Sequence, residues 1–208
     1  MHYYSESTGG FYDTTIHTTW PEDVVEITAE YHATLLAGQA QGKTIMPGKD
    51  GKPLLTVPAP SHLHRWNGKE WTLDKAAASQ LLAEAIDNGT KVINDLVGEA
   101  YRRVTRFGPE YQLREQQAIE YKAGGYKGEL PTQVAAFAEP AGKGGKEATD
   151  IILAQAAKLR ATLEQLGILR MKKLELKNLK TAAEVDKRAA EIVAAIQPHL
   201  QELEKVGK

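Results

Sequence analysis

The sequence predicts an α+β protein: a small β-rich N-terminal module over residues 1–73, then a mainly helical region over residues 74–208 that contains a long antiparallel helical hairpin at about residues 146–205. Three observations predict it. Short aromatic and β-branched runs separated by turn residues fill the first 73 positions. After Asp74, Ala, Leu, Lys, Glu and Gln dominate and strand-like runs stop. From Glu147 to Asn178 the residues Ile152, Ala156, Leu159, Leu163, Leu166 and Leu169 recur at alternating steps of three and four, one stripe of an amphipathic helix. Helical throughout, that stretch would span roughly 48 Å.

Taken in order, His2 to His17 reads as a β-hairpin about a Ser-Glu-Ser-Thr-Gly-Gly turn. Trp20-Pro21 is an extended entry to the short apolar run Val24 to Ile27. Thr28 caps a helix through Leu36, with Gly38 and Gly42 beyond its end. Lys43 to Met46 and Pro53 to Val57 flank a Pro-Gly-Lys-Asp-Gly-Lys turn, and Asn67-Gly68 sits between Trp66 and Trp71 as a second hairpin signal. Asp74 caps a helix to about Arg106, with an interruption expected at Asn88-Gly89. Pro109 opens another as far as Ala123, Pro131 a short third, and Gly142 to Gly145 reads as a flexible link. Thr181 with Glu184 forms a capping-box pattern ahead of Val185, Ala189, Ile192, Ile196 and Leu200, the second arm of the hairpin, which Pro198 is expected to kink or end.

Composition narrows the function. With 26 basic and 27 acidic residues the chain has no global field that would draw it to nucleic acid or anionic lipid. Up to Leu73 the balance is −3 and beyond it +2, too slight an asymmetry for a polyanion partner. The absence of Cys excludes a disulfide scaffold and thiolate chemistry. No apolar run approaches a membrane span, and the opening MHYYSESTGG lacks the basic and apolar regions of a signal peptide, so a soluble cytoplasmic protein without membrane or nucleic-acid partner is expected.

No constellation points to catalysis. Ala37 to Thr44, ending Gly42-Lys43-Thr44, resembles a relaxed phosphate loop, but a helix precedes it and a strand follows, the reverse of the polarity that aims helix amides at phosphate. His62 and His64 would share one side of a strand, yet no third ligand has recognisable spacing. Arg170-Met-Lys-Lys173 has acidic neighbours and no interleaved aromatics, the pattern of a solvated helix face. Catalytic residues, cofactors and metals are therefore expected to be none. The expected activity is adhesion. Trp20, Tyr31, Trp66 and Trp71 are either core of the small module or a partner surface. A two-helix hairpin buries only one stripe, so Leu163 and Leu166 must meet another helix of the chain, a second copy of it, or a client protein.

Three stretches carry a family resemblance: Tyr3-Tyr-Ser with Gly9-Gly-Phe-Tyr12; Pro21-Glu-Asp-Val-Val-Glu-Ile-Thr with Tyr31-His-Ala-Thr-Leu-Leu-Ala-Gly-Gln-Ala-Gln-Gly-Lys and Asp50-Gly-Lys-Pro53; and Glu120-Tyr-Lys-Ala-Gly-Gly-Tyr-Lys-Gly-Glu-Leu-Pro131 with Val134 to Ala138. With these the chain resembles the tail fibre assembly proteins of tailed bacteriophages and pyocin-like particles. The resemblance implies a chaperone of the host cytoplasm that binds the C-terminal region of a tail fibre and promotes its folding and trimerisation without ATP, carrying no catalytic residues. Its alternative is a structural virion component that stays on the fibre tip.

Overall fold

The structure is a computed structural model that describes residues 1–206. The architecture is α+β, and the chain divides into two compact units, Met1–Leu81 and a second from Leu82 onward.

In the first unit, β1 (His2–Ser5) is the centre of an antiparallel sheet between β2 (Phe11–Asp13) and β3 (Val24–Ile27). Successive strand residues point to opposite faces, so Tyr4 enters the core with Ile27 and with Leu35 of α1 (Ala29–Ala40), while Tyr3 faces away. Asp23 fastens the β1–β2 turn to the start of β3: it accepts from the Ser5 hydroxyl at 2.8 Å and from the Ser7 amide at 2.7 Å. Those bonds, the Ser7 amide foremost, hold its carboxyl below the usual range. Thr28 caps α1 by accepting from the Tyr31 amide at 3.1 Å, as expected.

The end of α1 differs from expectation. Instead of stopping at Leu36 it runs to Ala40, with Gly38 inside it. A Cβ at that position would lie 2.4 Å from Leu55 Cδ1, so the missing side chain is what lets α1 rest on the hairpin of β4 (Thr44–Pro47) and β5 (Pro53–Thr56). The Asn67-Gly68 turn joins β6 (Arg65–Trp66) to β7 (Trp71–Thr72), the Asn67 side chain accepting from the amides of Lys69 and Glu70. His2 on β1 stacks on His32 of α1 with ring centroids 4.8 Å apart, and Phe11 meets His32 edge-on at 4.6 Å. Burial, followed by the neighbouring His2, pushes the His32 pKa down.

Asp74 caps α2 (Lys75–Thr105), which starts within the first unit, supplies the opening of the second from Leu82, and continues through Asn88-Gly89 without the expected break. Gly89 is where two other elements approach: a Cβ there would sit 3.1 Å from both Leu176 and Ala189. Beyond α3 (Gly108–Ala123) and α4 (Thr132–Ala141), the expected flexible link is a left-handed cap at Gly142 followed directly by α5 (Gly145–Met171), whose first residue lies against Leu130. The N-terminal half of α5 packs Ala148 and Ile152 against Ala118 of α3 and Val134 of α4. Its C-terminal half places Leu166 with Ile93 and Val97 of α2 and Ile192 and Ile196 of α6 (Ala182–Val206).

The single long helix expected from Glu147 to Asn178 is also corrected. At Lys172 the winding tightens to a 3-10 helix, Lys172–Asn178. Continued α winding would set Leu176 about 80° around the axis from Leu166, whereas five residues of 3-10 winding bring it to about 20°. Leu176 thereby reaches the same core, fully buried. The capping box forms: the Glu184 amide donates to the Thr181 hydroxyl at 3.2 Å and the Thr181 amide to the Glu184 carboxylate at 3.0 Å. α6 continues past Pro198 to Val206 rather than ending there. An internal proline costs about 3 kcal/mol. Leu200 and Leu203, half-buried against the core beyond it, offset part of that cost.

Leu166→Ala should lower the free energy of unfolding by about 2–5 kcal/mol and Thr181→Ala by about 1 kcal/mol, read from denaturant titrations followed by far-UV circular dichroism; equal effects would contradict the buried placement of Leu166. For the first unit the sign of the pH dependence is set by lowered pKa values. The stability from His32 is complete above its ordinary value of 6.5 and drains away as pH falls through the lower folded value. That from Asp13 and Asp23, both lowered, goes in the same direction below the ordinary carboxylate value of 3.8. The near-UV melting midpoint should therefore fall in two stages on acidification, with His32→Phe abolishing the first.

Candidate protein-binding surface

The strand alternation that buries Tyr4 collects aromatic rings on the opposite face of the β2-β1-β3 sheet. In register, Tyr3 lies between Tyr12 and Glu26. The Trp20 ring stacks on Tyr3 with centroids 6.0 Å apart and planes inclined by 15°, and His17 meets Tyr12 edge-on at 5.2 Å. Four rings thus line one side of a three-stranded sheet, of which Trp20 is 42% exposed and the other three are half-buried; Ile16, beside His17 in the chain, is 76% exposed.

Polar bonds set the ring positions. Asp13 accepts from the Thr15 amide at 2.7 Å and hydroxyl at 2.6 Å, and its own amide donates to Nδ1 of His17 at 3.1 Å, closing the turn that presents Ile16 and His17. The Thr15 bonds, above all, hold the Asp13 carboxyl below its ordinary range, and Asp13 also pairs with His2 Nδ1 at 3.0 Å. The Tyr12 hydroxyl donates to Thr8 at 3.0 Å. Rings of this kind combine large apolar area with a polar edge and few rotatable bonds, the chemistry of strong protein–protein contacts.

The six residues expected to meet a partner are not brought together. Trp20 lies in the ring row. Tyr31 is 39% exposed and its hydroxyl donates to the Pro53 carbonyl at 2.7 Å, tying α1 to β5. Trp66 and Trp71 pack edge-to-face at 5.3 Å, and their indole N–H groups donate to the carbonyls of Pro47 and Val57 at 2.6 and 2.8 Å, so both are engaged within the unit. Leu163 is half-buried against the helical core, and Leu166 is fully buried in it. The third helix, α2, has taken the stripe that a two-helix hairpin would have left open. Tyr3, Tyr12 and His17 went unselected from sequence; the signal that could have found Tyr3 is its adjacency to Tyr4 on one strand, since only one of the two can face the core.

Gly42-Lys43-Thr44 runs from the turn after α1 into Thr44, the first residue of β4. His64 bonds through Nδ1 to the Ser61 hydroxyl at 2.7 Å, and among the described residues no group of three or more His, Asp or Glu is placed to hold a metal ion. Among the same residues no helix is long and apolar enough to cross a membrane.

No family model and no solved structure matches the chain. It is 37% identical over 119 residues to the uncharacterized 23.3 kDa protein in the lys 3′ region of Haemophilus phage HP1, a match covering 57% of this chain and 60% of that protein. It is 34% identical over 114 residues to a probable tail fiber assembly protein of Shigella phage SfV, covering 49% of this chain and 67% of that one. The matches thus span about two thirds or less of each relative's length. On this likeness the chain belongs to a phage tail-related protein family.

Proposed function

We propose that this chain is a non-enzymatic chaperone of the host cytoplasm that binds the C-terminal region of a phage tail fibre and promotes its folding and trimerisation without ATP. The observation that carries the reading is the likeness to the Shigella phage SfV protein named as a probable tail fiber assembly protein. The ring row of the first unit, half-buried except at the exposed Trp20, supports it by offering a surface suited to another polypeptide.

The physics of such a task limits how the chain can act. A trimeric, β-rich fibre end is joined by non-local contacts, and its strand edges stay unpaired until three chains meet in register, so it folds slowly and aggregates readily. A helper that spends no nucleotide acts through binding energy alone. Binding the unfolded chain most tightly would oppose folding by mass action, so it must prefer a near-native tip or hold chains together at high local concentration.

Co-expression of the fibre's C-terminal fragment with and without this chain tests the reading, scored as soluble trimer. The expected result is a several-fold gain; an equal yield without it refutes the proposal. Trp20→Ala and Tyr3→Ala, on the sheet face turned away from the core, should each weaken fibre binding by at least about 30-fold, corresponding to about 2 kcal/mol, while leaving the far-UV spectrum unchanged.

A further inference from the structure

Where α5 gives way to the 3-10 helix, three large apolar side chains are turned outward: Ile168, Met171 and Leu174, at 49%, 48% and 50% exposure. At about 100° per residue in the α segment and about 120° in the 3-10 segment, Glu164, Ile168, Met171, Leu174 and Lys177 all point within about 80° of one another. The tightened winding that turns Leu176 inward is the same one that keeps Leu174 in line with Met171. The stripe so formed begins with an anion, runs through three apolar residues, and ends with a cation. Among the described residues Glu164 and Lys177 have no charged partner, in contrast to Glu175, which Arg188 engages.

The stripe is balanced about its middle. Glu164 lies about 10 Å before Met171 at about 1.5 Å per residue, and Lys177 about 12 Å after it at about 2.0 Å per residue. A second copy laid antiparallel across Met171 sets each Glu164 against the other's Lys177 and each Ile168 against the other's Leu174. A parallel copy would oppose like charges.

We propose that this stripe is a self-complementary interface through which two copies of the chain pair antiparallel, with Met171 on the two-fold axis. Three half-exposed apolar side chains per copy cover less than the roughly 800 Å² per partner of a standard stable interface, so the dimer is reversible and concentration-dependent. It shares no residue with the ring row, and the fibre reading stands or falls separately.

Sedimentation equilibrium of the full chain at low salt, over about 5–500 µM, is expected to show a monomer–dimer equilibrium in the micromolar range. Met171→Glu should raise the dissociation constant at least about tenfold. Glu164→Lys and Lys177→Glu should each weaken pairing by up to about tenfold, and the two together should restore it. Because the chain has no Cys, Met171→Cys should give a disulfide-linked dimer under mild oxidation, while Val92→Cys, 45% exposed on α2, should link far more slowly. A chain that stays monomeric throughout, a dimer indifferent to Met171→Glu, or a double reversal that fails to recover pairing overturns the proposal.

Discussion

The helical unit depends on how closely α2 can approach the α5–α6 hairpin, and that distance is set at Gly89. With Leu176 and Ala189 each 3.1 Å from where a Cβ would stand, a side chain there is accommodated only if those neighbours give way by a few tenths of an ångström. Cores are packed nearly as densely as molecular crystals, so displacing one helix would open voids beside Ile93, Val97, Leu166 and Ile192 alike. The rest of the unit is arranged around this approach. α5 serves two clusters in succession, meeting α3 and α4 with its first half and α2 and α6 with its second, and the change of winding at Lys172 returns the chain to the second cluster after a register that plain α geometry would have lost.

Polar groups contribute position more than net energy. Arg188 bridges Glu175 and Glu191, and Lys122 joins Tyr126 at Asp150, but these groups are largely solvated and each such pair is worth little. In the first unit the carboxylates of Asp13 and Asp23 act differently. Each gathers several donors from one turn: Asp13 fixes the backbone that carries Ile16 and His17, and Asp23 ties the β1–β2 turn to the start of β3.

Features governed by neighbours in sequence were legible. The caps at Thr28 and Asp74, the Thr181–Glu184 box and the Asn67-Gly68 turn all depend on residues within a few positions of one another. Features governed by distant partners were not. Gly38 looks like a helix stop until Leu55 is seen against it, Gly89 looks like a break until Ala189 is, and Pro198 looks terminal until the burial of Leu203 is weighed. The candidate surface falls between these cases. Trp20 stood out as a large ring that could be core or surface, which of Tyr3 and Tyr4 would join it depended on the pairing of β1 with both neighbours, and the cover of Leu166 stayed open between another helix, a second copy and a client because nothing local pointed to α2.

The sheet that carries the rings ends on one side at β2, a strand of only three residues. A foreign strand that tried to extend the sheet there would find a very short ladder of free amides and carbonyls, whereas a folded surface laid across the flat side would find four rings. The other rim, β3, is only four residues long, so both edges are short and the larger apolar area of this sheet lies on its flat side.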